Sequence, residues 1–208
     1  MFVVTIDQEN SRKVGDRVPH LLAEFDTCLT GLWEPRVSFS RSVGDEVQGV
    51  LENPLAVLAV LRIAMRSGGW YVGIGIGSVN YPLPQRSADG YGHAFVHARA
   101  AVEDAKTNRG IVPVSVNAGE IDANAPQALL RLLAVIFESR SAKGWEAVDL
   151  VASPDGTANG TTQAQAASLL GVTKQALSAR IKAARWDEER GAVPLAVRLL
   201  DETHRLAS

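Results

Sequence analysis

Three carboxylates and one run of hydroxyl, amide and basic side chains are the parts of this sequence whose types and spacing can do chemistry. Asp7 follows the apolar run FVVTI, and Asp45 with Glu46 sits in a GDE tripeptide between two further apolar runs. A strand that ends at an acid, beside a hairpin that carries two more at its turn, can bring hard oxygen ligands to adjacent strand ends. Such a group suits Mg²⁺, which takes a few carboxylates and leaves its other positions to phosphate oxygens and water. Acids also gather at strand ends and turns because they are solvated there, so spacing alone leaves both readings open.

The second feature is Thr161 to Trp186, TTQAQAASLLGVTKQALSARIKAARW. Its spacing predicts a helix-turn-helix that docks on double-stranded DNA. Ala164, Ala167, Leu169 and Leu170 supply the apolar face of a first helix, Gly171 the turn at positive φ, and Thr173 the cap of a second helix running to about Arg185. Ala176, Leu177, Ile181 and Ala184 form an inward stripe, which leaves Lys174, Gln175, Ser178, Lys182 and Arg185 outside. Lys174, Arg180, Lys182 and Arg185 lie between Gly156 and Trp186, where there is no acid. Base-edge contacts are expected from Thr173, Lys174, Gln175 and Ser178, and phosphate contacts from Lys174, Lys182 and Arg185.

Elements must position these groups. Strands are expected at Phe2 to Ile6, in a hairpin through Val37 and Leu51, at Trp70 to Gly77, and at Gly110 to Val116. Helices are expected at 18–32, from Asn53–Pro54 to Ser67, and from Gly90 to about Asn108. The order predicts an α+β domain over residues 1–118, with helices on one face of its sheet. From residue 119 the strand signals stop, and an all-α domain is expected, with helices at 125–139, 145–151 and 193–206 beside the helix-turn-helix.

Composition bounds the reading. The chain has 208 residues, 46% of them hydrophobic and 21% charged, with a formal net charge of −2. DNA contact on a nearly neutral molecule must come from a local patch, and pairing of two helix-turn-helix units in a homodimer would multiply it. The apolar helix at 125–137 is rich enough for that interface or for a core between domains. Cys28 is the single cysteine, expected as a small buried residue in a reducing cytoplasm. No signal core or membrane-spanning run is evident, so no membrane partner is expected. His93 and His97 have chelating i, i+4 spacing without an evident third ligand. There is no Walker lysine motif, and GIGIG at 73–77 lacks the following helix of a dinucleotide fold, so it reads as a strand closely approached by a neighbour.

The blocks DQENSRK (7–13), VGDEVQGVLENP (43–54), GIGIG (73–77) and DGYGHAFVHARAAVEDAK (89–106) resemble the SatD-like family of bacterial proteins over roughly the first 115 residues. They are also similar to a reduced palm of class III nucleotidyl cyclases and GGDEF-type diguanylate cyclases, a ferredoxin-like fold. That resemblance implies Asp7 and Asp45 as metal aspartates, Glu46 beside them, and Gly73, Gly75 and Gly77 on the strand that brings a loop close to substrate. It implies a nucleotide ligand met by Arg12 or Lys13, Gly44, Asp89, Gly90 and Arg99. The sequence departs from the cyclase pattern where Phe95 stands four residues before Arg99 in place of an asparagine, and no lysine–acid pair for a purine base is in evidence. A transcriptional regulator with a nucleotide-sensing or dimerising first domain is the expectation, and a Mg²⁺-dependent nucleotidyl transferase using Asp7 and Asp45 is the alternative.

Overall fold

The structure, a computed structural model, describes residues 1–107 and 112–208. It is a mixed α+β molecule whose elements run β1 Phe2–Gln8, α1 Ser11–Val14, α2 Val18–Cys28, β2 Val37–Arg41, β3 Glu46–Leu51, α3 Pro54–Ser67, β4 Trp70–Ile76, α4 His93–Thr107 and β5 Val114–Asn117. Beyond β5, helices take over: α5 Asn124–Ser139, α6 Ala142–Asp149, α7 Gln163–Leu169, α8 Lys174–Ala183 and α9 Trp186–Leu206. The expected helix end at Asn108 and strand start at Gly110 lie outside the described residues. The helix expected at 18–32 stops at Cys28, and a single 3-10 turn at Gly31–Trp33 follows it.

The five strands lie in the order β2-β3-β1-β4-β5. β1 is antiparallel to both neighbours, and β4 and β5 are parallel, joined through α4. Alternation along β1 divides the two faces. Phe2, Val4 and Ile6 join the large core formed with α2 and α3, whereas Val3 belongs to a small cluster with Ala94 and Ala98 of α4. Helices therefore pack on both faces, a correction to the one-sided arrangement expected from element order. The cause is β4. A Cβ at Gly73 would stand 2.3 Å from the backbone nitrogen of Val102, and one at Gly75 only 2.1 Å from the carbonyl oxygen of Ala94. α4 turns its small residues Ala94, Ala98, Ala101 and Ala105 to this contact, so helix and strand touch backbone to backbone.

The first core does not stop near residues 117–122. Leu130, Leu133, Ala134 and Phe137 of α5 and Val193, Ala196 and Leu200 of α9 belong to it. A second core holds Val148, Val151, Ala166, Ala167, Leu177, Ile181, Ala184 and Trp186. α9 begins seven residues earlier than expected and keeps Pro194 inside it, so one helix serves both cores.

Between the cores lies a buried charge cluster. The Arg62 Nε of α3 donates to Glu189 Oε1 of α9 at 2.9 Å, and Arg140 Nη2 donates to Glu189 Oε2 at 2.5 Å. Glu189 and the Arg140 side chain are fully buried, and Arg140 Nε also donates to the Ala184 carbonyl at 3.0 Å. The guanidinium carbons of Arg62, Arg66 and Arg140 stand 4.7, 4.8 and 4.3 Å from the Trp145 ring centre. Gly156, at φ +83°, leaves room for Glu189, whose Oε1 would be 2.4 Å from a Cβ there. Nearby, Trp33 Nε1 donates to the buried Asp155 at 2.9 Å and ties the turn after α2 to the loop before α7.

Candidate nucleic-acid interface and the carboxylate cluster of the sheet

Asp7 and Glu46 stand directly opposite each other on β1 and β3, so both side chains leave the same face of the sheet. Asp45 is in the turn just before, and its charge reaches Asp7. The strand ends do converge. Two of the three carboxylates, Asp7 and Glu46, however, already have cations. Lys106 Nζ lies 2.9 Å from Asp7 Oδ2 and 3.0 Å from Glu103, and Arg99 pairs with Glu46, which also accepts a 2.6 Å bond from Ser42. Arg99 and Lys106 are seven residues apart, two turns of one helix, and reach the two acids from one flank of α4.

Burial pushes the Asp7 carboxyl up from its ordinary value, with Asp45 and Glu103 adding to the effect and Lys106 opposing it. Burial alone would lower the Lys106 ammonium, but its bonds to Asp7 and Glu103 hold it above its ordinary value. A divalent ion here would have to displace two built-in cations. Among the described residues no group of three His, Cys, Asp or Glu side chains is arranged to hold a metal ion. The Mg²⁺ expected from the carboxylates therefore does not fit this arrangement without rearrangement.

The other residues of the nucleotide expectation are spread out. Arg99 joins the cluster, but Arg12 is exposed on α1, and Gly44, at φ +59° in the hairpin turn, accepts from Arg41 through its carbonyl. Asp89 is exposed in a 3-10 turn, Ser87–Asp89, whose Ser87 hydroxyl is anchored on the Gln48 carbonyl at 2.6 Å. Gly90 packs so closely on Phe95 that a Cβ would meet the ring at 2.0 Å. His97 Nδ1 meets the Ile76 carbonyl at 2.7 Å and His93 Nδ1 meets the Ser78 hydroxyl at 3.0 Å. That pair fastens the start of α4 to the end of β4.

The helical hairpin is built as its sequence suggests at its ends and differs in its middle. Thr162 and Gln165 form a reciprocal capping box on α7, Gly171 turns at φ +63°, and the Thr173 hydroxyl accepts from the Ala176 N–H at 3.1 Å to cap α8. Leu177, Ile181 and Ala184 are buried against Ala166 and Ala167. Ala176 is exposed, and on α7 it is Ala166 and Ala167 that turn inward, while Ala164 and Leu169 are exposed. Of the expected inward set, Ala167 and Leu170 do pack into the second core, and Ala166 takes the place of Ala164 and Leu169.

Thr173, Lys174, Gln175, Ser178 and Lys182 are all exposed along the outer side of α8. Among the described residues no ion pair engages Lys174 or Lys182. Arg185 does not belong to α8, which ends at Ala183. It takes a left-handed backbone, φ 56°, as the cap of α9, and pairs with Glu188 at 3.2 Å. Arg180 is turned partly inward toward Glu146, 3.8 Å away. Two of the four basic residues thus have an acidic partner within the protein, though Arg185 stays exposed beside Glu188, and Lys174 and Lys182 face outward with no ion pair among the described residues.

Residue spacing missed Lys106, Glu103 and Ser42 in the carboxylate cluster, and the whole Arg62–Glu189–Arg140 group. The seven-residue interval from Arg99 to Lys106 on an alanine-rich helix is a signal that could have found the first of these. No helix among the described residues is long and apolar enough to cross a membrane. No protein-family model, curated protein or solved structure matches the chain.

Proposed function

We propose that this protein binds double-stranded DNA through α8 and acts as a transcriptional regulator. The observation that carries the reading is the two-sided character of α8: Leu177, Ile181 and Ala184 are buried, and Thr173, Lys174, Gln175, Ser178 and Lys182 are exposed on the other side. A capped helix of ten residues, with small polar and amide groups near its start and two lysines that form no ion pair among the described residues, suits insertion into a major groove. The SatD-like resemblance of the first domain belongs to the same proposal, as a sensing or dimerising unit. Asp7 is paired with Lys106 and Glu46 with Arg99, which favours this role over nucleotidyl transfer by Asp7 and Asp45.

The test is fluorescence anisotropy with duplexes selected from random sequence, over a series of salt concentrations. Binding whose log affinity falls linearly with log salt is expected, with one duplex preferred over shuffled controls. Affinity independent of salt, or no binding to any duplex at low salt, would sink the reading.

A homodimer is part of the proposal. One helix-turn-helix reads few base pairs, and the net charge of −2 gives no general attraction to DNA. α5 keeps Ala128, Leu132 and Val135 exposed at intervals of four and three, the spacing with which a second copy of the same helix can pack. Leu132→Asp is expected to turn a dimer into a monomer in sedimentation velocity, with DNA affinity falling alongside. A wild-type chain that is monomeric while bound to DNA would remove the dimer from the proposal.

A further inference from the structure

A cavity of about 320 Å³ opens at the seam between the two cores, lined by Cys28 at the end of α2, Arg62 and Arg66 of α3, Asp149 at the end of α6, and Ser153 and Pro154 beyond it. Its chemistry is set by the buried charge cluster. Three guanidiniums, Arg62, Arg66 and Arg140, surround Trp145, and two carboxylates, Glu189 and Asp149, answer them. Within the lining itself, Arg62 and Arg66 are answered by the single carboxylate of Asp149, and Glu24 acts on the neighbouring Cys28.

The Arg62 side chain is only 7% exposed, and its Nη2 has no hydrogen-bond partner among the described residues. Asp149 Oδ1 stands 4.0 Å from that nitrogen, too far for a hydrogen bond. Asp149 is held instead by Arg66, at 2.9 and 2.8 Å through its two oxygens. An underused buried guanidinium, a second one at the rim and a serine hydroxyl around one cavity form a receptor for a small negatively charged group.

We infer that this cavity binds a small oxyanion, a carboxylate or a phosphate monoester, between Arg62 and Arg66, with Ser153 also in its lining. Asp149 is the resident competitor: its carboxylate occupies Arg66, and an incoming oxyanion takes over that partner. The occupant would touch α2 and α3 on one side and, through Ser153 and Pro154, the segment that leads into the helical hairpin on the other. Anion binding itself does not depend on the DNA reading. Only its consequence, a change in DNA affinity on occupancy, rests on that reading.

The experiment is calorimetric titration of the full chain, without DNA, with inorganic phosphate and separately with malonate, at ionic strength matched by chloride. Saturable binding of at least one is expected, and which one binds distinguishes a phosphate from a carboxylate ligand. Arg66→Gln, a half-exposed position outside the buried triad, is expected to weaken binding by about tenfold or more. Asp149→Asn is expected to strengthen it by removing the competitor. Ser153→Ala gives a second check within the lining should the Arg66 variant fail to fold, with weaker binding expected. Heats no different from the chloride control, or equal affinity in wild type, Arg66→Gln and Ser153→Ala, would overturn the inference. Anion uptake by a wild-type chain that binds no duplex at low salt would count against the DNA reading alone.

Discussion

The sheet face at Asp7 and Glu46 and the outer side of α8 both carry a row of charges, and they use them in opposite ways. On the sheet, acids and cations face each other within the chain, Asp7 with Lys106 and Glu46 with Arg99. On α8, Lys174 and Lys182 have no ion-pair partner among the described residues and stand in solvent. Charges satisfied internally hold elements in place. Exposed charges are hydrated and free to meet an incoming anion, which is why the proposed recognition surface is α8 and not the acidic strand ends.

The largest effect is expected where the two regions are joined. Glu189→Ala leaves Arg62 and Arg140 buried without their shared carboxylate, and should cost about 3–5 kcal/mol in urea unfolding. A loss under about 1 kcal/mol would mean that the regions are held together by apolar packing alone. Second in size is the double change Lys174→Ala with Lys182→Ala. It should leave stability within about 0.5 kcal/mol of wild type, yet reduce the salt slope of DNA binding by about 0.9 for each phosphate that is no longer neutralised. An unchanged slope would place the DNA-binding surface elsewhere.

Smallest is the response of Lys106→Met, which attacks the other side of the comparison. The pair is partly exposed, and its removal should cost no more than about 1 kcal/mol. The sign with pH is defined. The folded Lys106 ammonium lies above its ordinary value, so its contribution is complete below the ordinary lysine value and disappears as pH rises through the folded one. Wild type and Lys106→Met should therefore converge in stability at strongly alkaline pH. Asp7 has the same sign at lower pH: its carboxyl is raised, so stability falls as pH climbs from the ordinary aspartate value through the folded one. In Lys106→Met, NMR titration should find Asp7 raised further, and Mn²⁺ should raise the melting temperature where it leaves wild type unmoved. A wild type stabilised by millimolar Mn²⁺ would show the carboxylates open to metal and break the comparison.

Much of this was legible in the residues. Asn53 before Pro54 marks the start of α3, and its side chain does accept from the Leu55 N–H at 2.9 Å. Thr162, Gly171 and Thr173 mark the helical hairpin because caps and turns depend on a few neighbouring residues. The inward face of α7 was harder, since a seven-residue helix offers too few turns for periodicity to fix its rotation. Arg185 could not be foreseen at positive φ, where arginine is rare. Asp7 and Glu46 could be brought together from strand ends, but Lys106 and Arg99 could not be assigned to them before the face of α4 was known. Gly73 and Gly75 decide that face. Arg62 is the extreme case: within PLAVLAVLRIAM it reads as an interruption of an apolar helix, and its partner is 127 residues away.

α9 gives these parts a mechanical relation. Its 21 residues span about 31 Å at 1.5 Å per residue. At one end Trp186 is packed beneath α8, and at the other the His204 ring lies 5.1 Å from Phe2 at the head of the central strand. Glu189 clamps it one turn from the α8 end. The helix is thus one continuous strut from the head of the central strand to the base of α8, with its clamp near the α8 end, so a displacement at its far end would reach α8 reduced in distance but multiplied in force.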